Sequence, residues 1–485
     1  MASATEGLKP ELVWKYFEEI ARIPRCSGNE AAISKYVAAT AQRLGLAVKV
    51  DEVGNVVARK PASPGREHVR NVVLQGHLDM VGEKNKDKAH DFNKDPIELV
   101  RKDNLIMANG TTLGADNGIA VATNLAIMED KSLEHGPLEF LFTVDEERGL
   151  TGAKSISSDS LESKILMNLD SEEEGELYVG CAGGRDTVGT WKADFDDSPA
   201  QAGAAMLKVA GLRGGHSGIE IDKGRGNALK IINRVLMALT PLGARLSGIE
   251  GGNKRNAIPR EADAKLFIPR KAWEQAASVV AQFNATIKAE FATVEPGLAI
   301  TLVEIKGARK GKVVKNALQK KLCKTISALP HGVIKMSPDI SGLVQTSTNV
   351  AIVSTGKKSI SIATSQRSSV ASEIDEICQM VANVFELGGA EFETSDGYPG
   401  WKPNLDSEIL KIAKATYQSL YGKEPEVKAI HAGLECGIIG ERFPGMDMVS
   451  FGPTLQGVHS PDEKLYIDTV VKFWNYLLAI LKNVN

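Results

Sequence analysis

The sequence predicts an α/β domain with a mainly parallel central sheet flanked by helices, interrupted by an inserted α+β domain. Three observations predict it. Short apolar runs alternate with helix-compatible segments early in the chain, the texture changes from about residue 194, and the first texture returns near the C-terminal end. In order, Ile33, Tyr36, Val37, Ala41 and Leu44 recur at helical spacing, and Gly45 is placed to end that helix. Val72-Val73-Leu74, residues 138–144 and residues 165–169 have strand length and little polar content, the pattern of strands buried on both faces. Residues 119–128, between the first two, suit a helix. In the insert, 204–209 reads as a strand, 228–239 as a helix, two strands flank Gly251-Gly252, a helix covers 271–293 and a strand 298–305. That is the order of a ferredoxin-like unit. A second unit is expected to follow, with helices over 313–329 and 370–387 and strands near 351–353 and 360–362. A helix over 407–421, a strand at 448–451 and a final helix with Val471, Trp474, Leu478 and Leu481 on one face complete the chain. The expected division is 1–190 with 395–485 as one domain and 191–394 as an inserted lid of two ferredoxin-like units.

Composition narrows the function classes. The 485 residues carry 58 basic and 61 acidic side chains, a formal net charge of −3, which excludes a nucleic-acid binder working through a general basic field. A hydrophobic content of 43% and a charged content of 25% match a globular protein. No apolar run approaches the ~20 residues that span a bilayer. Residues 1–10 lack the basic start and apolar core of a signal peptide, so the cytoplasm is expected. The five cysteines form no CxxC pair and read as free thiols rather than a thiolate metal site or a disulfide framework. HExxH, GxGxxG and the Walker P-loop are absent, so dispersed residues must carry the chemistry.

Each apolar run of the first domain ends in polar residues: Gln75-Gly76-His77-Leu78-Asp79, Asp145-Glu146-Glu147, and Asp170. Ligand sites of open α/β sheets lie at the carboxyl ends of strands, so these residues should converge there. Lysine and arginine are missing from these segments apart from Arg148, and burying so many carboxylates without cations is prohibitive. Bound metal resolves the conflict. Imidazole with carboxylate and no thiolate suits zinc, manganese or cobalt better than magnesium or calcium. In His77-x-Asp79 on an extended segment both side chains point the same way, so Asp79 can accept the other ring N–H of His77.

Together, Gly76-His77-Leu78-Asp79-Met80, Gly114-Ala115-Asp116-Asn117-Gly118, Asp145-Glu146-Glu147, Asn168-Leu169-Asp170 and His459-Ser460-Pro461-Asp462-Glu463 resemble the di-zinc peptidases of the M20 family. Gly214-Gly215-His216-Ser217-Gly218, residues 171–176, residues 255–260 and residues 431–437 are similar to its aminoacyl-histidine dipeptidase branch. The resemblance covers essentially the whole chain. It implies two divalent ions per subunit, zinc with cobalt or manganese as substitutes. Asp116 would bridge them, His77 and Asp170 would complete one site, and Glu147 and His459 the other. It implies a cis peptide after Asp116. It implies hydrolysis of unblocked dipeptides, including Xaa-His and β-Ala-His, by a metal-bridging hydroxide, with Glu146 as general base and Asp79 supporting it. His216, in a glycine-rich turn, is the candidate donor to the developing oxyanion. Arg367, expected to follow a strand of the insert, is the candidate partner of the substrate carboxylate. Asn256 would contact that same end or the tetrahedral oxygen, and His431, expected on the first domain, the amino-terminal half. Glu435 reads equally as a partner of the amine or as a structural carboxylate.

The implied partners are small dipeptides, with no nucleic acid and no membrane. Lid closure is expected to bring His216 and Arg367 onto substrate. The resemblance implies a homodimer, although a doubled insert would let the histidine come from the same subunit. The rival readings are an N-acyl-amino-acid amidohydrolase with the same metals, and a non-catalytic metal-loaded scaffold.

Overall fold

The computed structural model describes residues 3–307 and 310–485. The chain divides into two compact units, one of Met1–Cys181, Trp401–Ala429 and Leu434–Asn485, the other of Ala182–Gly400 and Ile430–Gly433. Among the described residues no helix is long and apolar enough to cross a membrane.

The first unit is built on an eight-stranded sheet in the order Ala47–Val50, Val56–Lys60, Leu138–Thr143, Val72–His77, Ile165–Asn168, Asp447–Ser450, Glu176–Cys181, Glu426–Ile430. The four strands from Leu138–Thr143 to Asp447–Ser450 run parallel. Val56–Lys60 and Glu176–Cys181 join them antiparallel. Every residue of Val72–His77, Leu138–Thr143 and Ile165–Asn168 is buried, as expected where helices cover both faces. Fully buried side chains such as Phe140 and Phe142 each contribute about 1.5–3 kcal/mol of transfer free energy. The helix Ala115–Glu129 is apolar on nearly all sides because it packs between this sheet and the helix Glu11–Ala21.

Register decides what happens at the strand ends. Gln75 pairs with Asn168, so His77 and Asp170, each two residues further on, leave the sheet at the same level. His77 also pairs with Thr143, just before Glu146 and Glu147. The connection from Val72–His77 passes to one side of the sheet and that from Ile165–Asn168 to the other. The polar ends therefore flank a topological switch point, where open α/β sheets bind ligands.

The second unit holds a nine-stranded sheet. Its first half runs Ala299–Glu304, Ala202–Ala210, Ala262–Pro269, Arg245–Gly251, all antiparallel, with helices Ala228–Leu239 and Trp273–Glu290 between strands in sequence: a ferredoxin-like unit. Its second half runs Val344–Thr355, Ser359–Ser368, Gly183–Lys192, Glu391–Thr394, with helices Asn316–Ala328 and Ala371–Leu387. Gly251 pairs with Val353 and joins the halves into one sheet.

Four expectations need correction. The second ferredoxin-like unit does not simply follow the first. Its first strand is Gly183–Lys192, ahead of the first unit in the chain, so one unit is nested within the other. That strand also moves the first unit's limit from 190 to Cys181. Arg367 does not follow a strand but lies inside Ser359–Ser368. In the final helix, Ile467–Asn483, the buried stripe is Val470, Phe473, Leu477 and Ile480 together with Trp474 and Leu481, whereas Val471 and Leu478 are half-buried. The aromatic rings set this rotation: Phe473 packs edge-on against Phe451 at 5.9 Å, and Tyr476 donates its hydroxyl to the Ala413 carbonyl at 2.9 Å.

Candidate metal centre

The first unit brings His77, Asp79, Asp116, Glu146, Glu147, Asp170 and His459 together. In each of the groups His77–Asp116–Asp170, His77–Glu146–Glu147 and Asp116–Glu147–His459 the candidate ligand atoms lie within 4.8 Å of one another. His77 Nε2 is 3.1 Å from Asp116 Oδ1 and 3.3 Å from Asp170 Oδ1. His459 Nε2 is 3.1 Å from Asp116 Oδ2 and 2.9 Å from the Glu147 carboxylate. Asp116 thus turns one oxygen toward each imidazole.

Local backbone explains how these side chains are held. Asp145, in the left-handed region at φ 53°, turns the strand Leu138–Thr143 abruptly into the short helix Glu146–Gly149. The turn aims the amides of Glu146 and Glu147 at the Asp79 carboxylate, which accepts them at 3.0 and 3.2 Å together with the Ser27 hydroxyl at 2.7 Å. His77 Nδ1 lies 3.1 Å from the Asp79 carbonyl oxygen and 3.3 Å from its Oδ1, which leaves Nε2 facing the carboxylates. Asp79 therefore holds an imidazole and the Glu146-Glu147 backbone at once. The Asp116–Asn117 peptide is cis. The Asn117 side chain accepts the His77 amide at 3.2 Å and donates to the Leu169 carbonyl at 2.9 Å, tying the two strand ends. This approach requires Gly76, since a Cβ there would lie 2.5 Å from Asn117 Oδ1.

The electrostatics are those of a site short of positive charge. Burial, with Asp116 and Glu147 nearby, outweighs His77 and pushes the Asp170 carboxyl up to about 6. Burial beside Asp116 and Asp170 pushes Glu172 up to about 8. Glu146 is raised well above the usual carboxylate range by burial, against the pull of His77 and with Asp170, Glu435 and Glu147 adding to the rise. Burial opposes protonation of His77, but Asp170, Asp116 and Asp79 overcome it and hold the imidazole well above its ordinary value. Asp116 and Glu147 hydrogen bonds lift His459 to about 11. Among the described residues the ion-pair partners of Asp79, Asp116, Glu147 and Asp170 are histidines alone. Among the described residues no donor reaches Asp170 Oδ1 with hydrogen-bond geometry. Arg148 pairs instead with Asp145 at 2.8 Å on the surface. Divalent cations fit this donor set.

The second unit gathers His216, Arg367 and His431. His216 lies in the two-residue strand Gly215–His216 and pairs with Ala257, beside Asn256, which is exposed. His216 Nδ1 accepts the amides of Gly218 and Ile219 at 3.2 and 3.1 Å, which puts its proton on Nε2. Burial, then Arg367, lowers this imidazole to about 4 despite Glu220, so it is a neutral donor at pH 7. Arg367 is buried, donates to Tyr398 Oη at 3.1 Å and keeps an unpartnered Nε. His431 is not on the first unit as expected. Its segment belongs to the second, because its Nε2 lies 2.7 Å from Ser347 Oγ, and the Ile430 and Ala432 carbonyls both accept the Ala182 amide. Burial, then Arg367 and His216, lower His431 to about 3.

Sequence reasoning missed Arg25 and the role of Glu463 in the first unit, and left Glu435 open between two readings. Buried Arg25 donates to the carbonyls of Leu78 and Asp79 at 2.8 Å each and to that of Gly114. Glu463 accepts four backbone amides of residues 113–116. Glu435 is buried, accepts from Gln75 Nε2 at 2.6 Å and Thr143 Oγ1 at 2.7 Å, and keeps Oε1 unpartnered. Only the sequence position of Glu463, four residues after His459, hinted at a role.

Residues 73–483 match the family model described as Peptidase family M20/M25/M40. The chain is 41% identical over 483 residues to a protein named cytosol non-specific dipeptidase from Escherichia coli (strain K12), covering 99% of each. It superposes on the crystal structure of aminoacylhistidine dipeptidase from Vibrio alginolyticus with a TM-score of 0.92 and 42% identity, covering 100% of this chain and 98% of that one. The aminopeptidase PepT from Bacillus cereus, at 18% identity and a TM-score of 0.57 over 98% of this chain and 99% of that one, shares the fold.

Proposed function

Because the chain belongs to peptidase family M20/M25/M40, we propose that it is a divalent-metal-dependent dipeptidase acting on unblocked dipeptides, Xaa-His and β-Ala-His among them. Two cations, zinc by preference, would be held by His77, Asp116 and Asp170 on one side and by Asp116, Glu147 and His459 on the other. The observation that carries this reading is Asp116 itself, with Oδ1 and Oδ2 each 3.1 Å from a different imidazole. When bound, such ions supply a water of lowered pKa and polarise the scissile carbonyl.

The remaining work falls to the side chains. Glu146 takes a proton from the attacking water and returns it to the departing amine. Asp79 fixes Glu146 through its backbone amide and keeps His77 Nε2 facing the acids. His216 offers a neutral Nε2–H for the developing oxyanion, a donor that needs no protonation at pH 7. Arg367 is assigned to the substrate carboxylate, which its unpartnered Nε can serve, and Asn256 and His431 to the rest of the substrate. A cytosolic location and a homodimer belong to the same proposal.

Rates on Ala-His, β-Ala-His and an N-acetyl amino acid test it. Hydrolysis of the first two with no turnover of the third is expected. Preference for the acetylated compound would make the chain an amidohydrolase, and inertness toward all three, with metal bound, a scaffold.

A further inference from the structure

The helix Ala115–Glu129 carries Asp116 in its first turn yet has no cap of its own: its N-cap residue is Gly114, at φ 70°, with no side-chain hydrogen bond. The backbone leaves helical geometry at Asp116 and Asn117, so the amides of residues 113–116 need partners from elsewhere, and burying them bare is costly. They are satisfied from the far end of the chain. Glu463 Oε2 accepts the Leu113 and Gly114 amides at 2.7 and 3.0 Å, and Oε1 accepts those of Ala115 and Asp116 at 2.8 and 3.3 Å. Glu463 is 2% exposed, so these are buried charge-assisted bonds to the turn that leads into the regular helix, whose backbone is non-helical at Asp116 and Asn117. The carbonyl side of the same turn is held by Arg25, which also grips the Leu78 and Asp79 carbonyls beside His77.

Glu463 is tied as firmly to His459. The Glu463 amide donates to the Ser460 carbonyl at 3.1 Å, the Asp462 amide to Ser460 Oγ at 3.2 Å, and Ser460 Oγ to the Gly457 carbonyl at 2.7 Å. His459 sits in this turn at φ 60°, in the left-handed region that non-glycine residues occupy uncommonly.

We infer that Glu463 is a positioning residue that sets the spacing between Asp116 and His459, and so the geometry of the bridged pair of ions, by clamping the Asp116 turn to the His459 turn. The inference rests on the two-cation reading above. Glutamine at this position keeps one acceptor oxygen but turns an NH2 toward amide donors, so half of the clamp becomes repulsive. Aspartate keeps the charge but is one methylene short of the turn.

The test is zinc titration of the metal-stripped full chain against a chromophoric chelator, with kcat and KM measured at full occupancy fixed by elemental analysis. Glu463→Gln is expected to bind zinc about 10–100-fold more weakly. At full occupancy it should lose about tenfold in kcat with KM within about twofold, the split expected when ligands are misplaced but substrate contacts are intact. Glu463→Asp should fall between it and the wild type, and decides the matter if the glutamine variant does not fold. Leu410→Ala, in the helix Glu408–Tyr421 and buried, supplies a destabilised control that should keep wild-type affinity. Wild-type affinity and kcat in both Glu463 variants would overturn the inference, as would a loss of affinity that Leu410→Ala reproduces. A wild-type chain that takes up no zinc would sink the cation reading itself, which is a different result.

Discussion

The two units of this chain gather opposite chemistries. In the first, carboxylates crowd together, with histidines as the only ion-pair partners of Asp79, Asp116, Glu147 and Asp170 among the described residues, and Asp170 and Glu172 are pushed up to about 6 and 8. In the second, imidazoles crowd around a buried guanidinium, and His216 and His431 are pushed down to about 4 and 3. Among the described residues the first set pairs with no lysine or arginine, and Arg367 in the second forms no ion pair with a carboxylate. A dipeptidase requires both, since it must hold metal ions at the reacting bond and recognise a free carboxylate. The contrast also shows that the imidazoles are put to different use. His77 and His459 face acids, whereas His216 and His431 are kept neutral by burial and a nearby arginine.

The largest effect should come from the acid-rich unit. Glu146→Gln is expected to lower kcat about 10²–10⁴-fold while both ions stay bound, as measured by steady-state rates alongside elemental analysis. Loss of an ion with the activity would make Glu146 a ligand, which its proximity to His77 and Glu147 permits, and would move the base elsewhere.

A smaller effect should come from the imidazole-rich unit, and it concerns stability. The unfolded chain protonates His431 near 6.5, but in the folded chain protonation waits until about 3. Between those values the unfolded state binds more protons, so stability is full above 6.5 and declines as pH falls through the window. One buried histidine contributes a slope of up to about 1.4 kcal/mol per pH unit. Urea unfolding of His431→Gln at pH 7 and pH 5 should show a flatter pH dependence than the wild type. An unchanged slope would mean that His431 is not held neutral.

How much of this was legible follows from what each residue does. The strand ends carrying His77, Glu146, Glu147 and Asp170 stood out because carboxylates that follow largely apolar runs have no bland explanation. The first ferredoxin-like unit was visible because its strands and helices bury aliphatic faces such as Leu229, Ile232 and Leu266. The nesting was not. The strand Gly183–Lys192 opens with Gly-Gly-Arg-Asp, and beside that end the strand Ser359–Ser368 buries Thr364, Gln366 and Ser368. Gln366 Nε2 donates to Thr348 Oγ1 at 3.2 Å and to Thr364 Oγ1 at 2.8 Å, and its Oε1 accepts from Thr187 Oγ1 at 3.0 Å. A satisfied buried network of this kind leaves no hydrophobic period to read. Arg25 and Glu463 were hidden for a related reason. A charged residue in a loop reads as solvated, and only the fold reveals that its partners are backbone groups far away in sequence.

If divalent ions held by the first unit make this chain a dipeptidase, metal content and Ala-His hydrolysis must fall together when both are followed in one sample during chelation. Activity should disappear as two ions per chain are withdrawn and return with zinc, cobalt or manganese. Full hydrolysis in protein shown by elemental analysis to contain no metal would contradict the account.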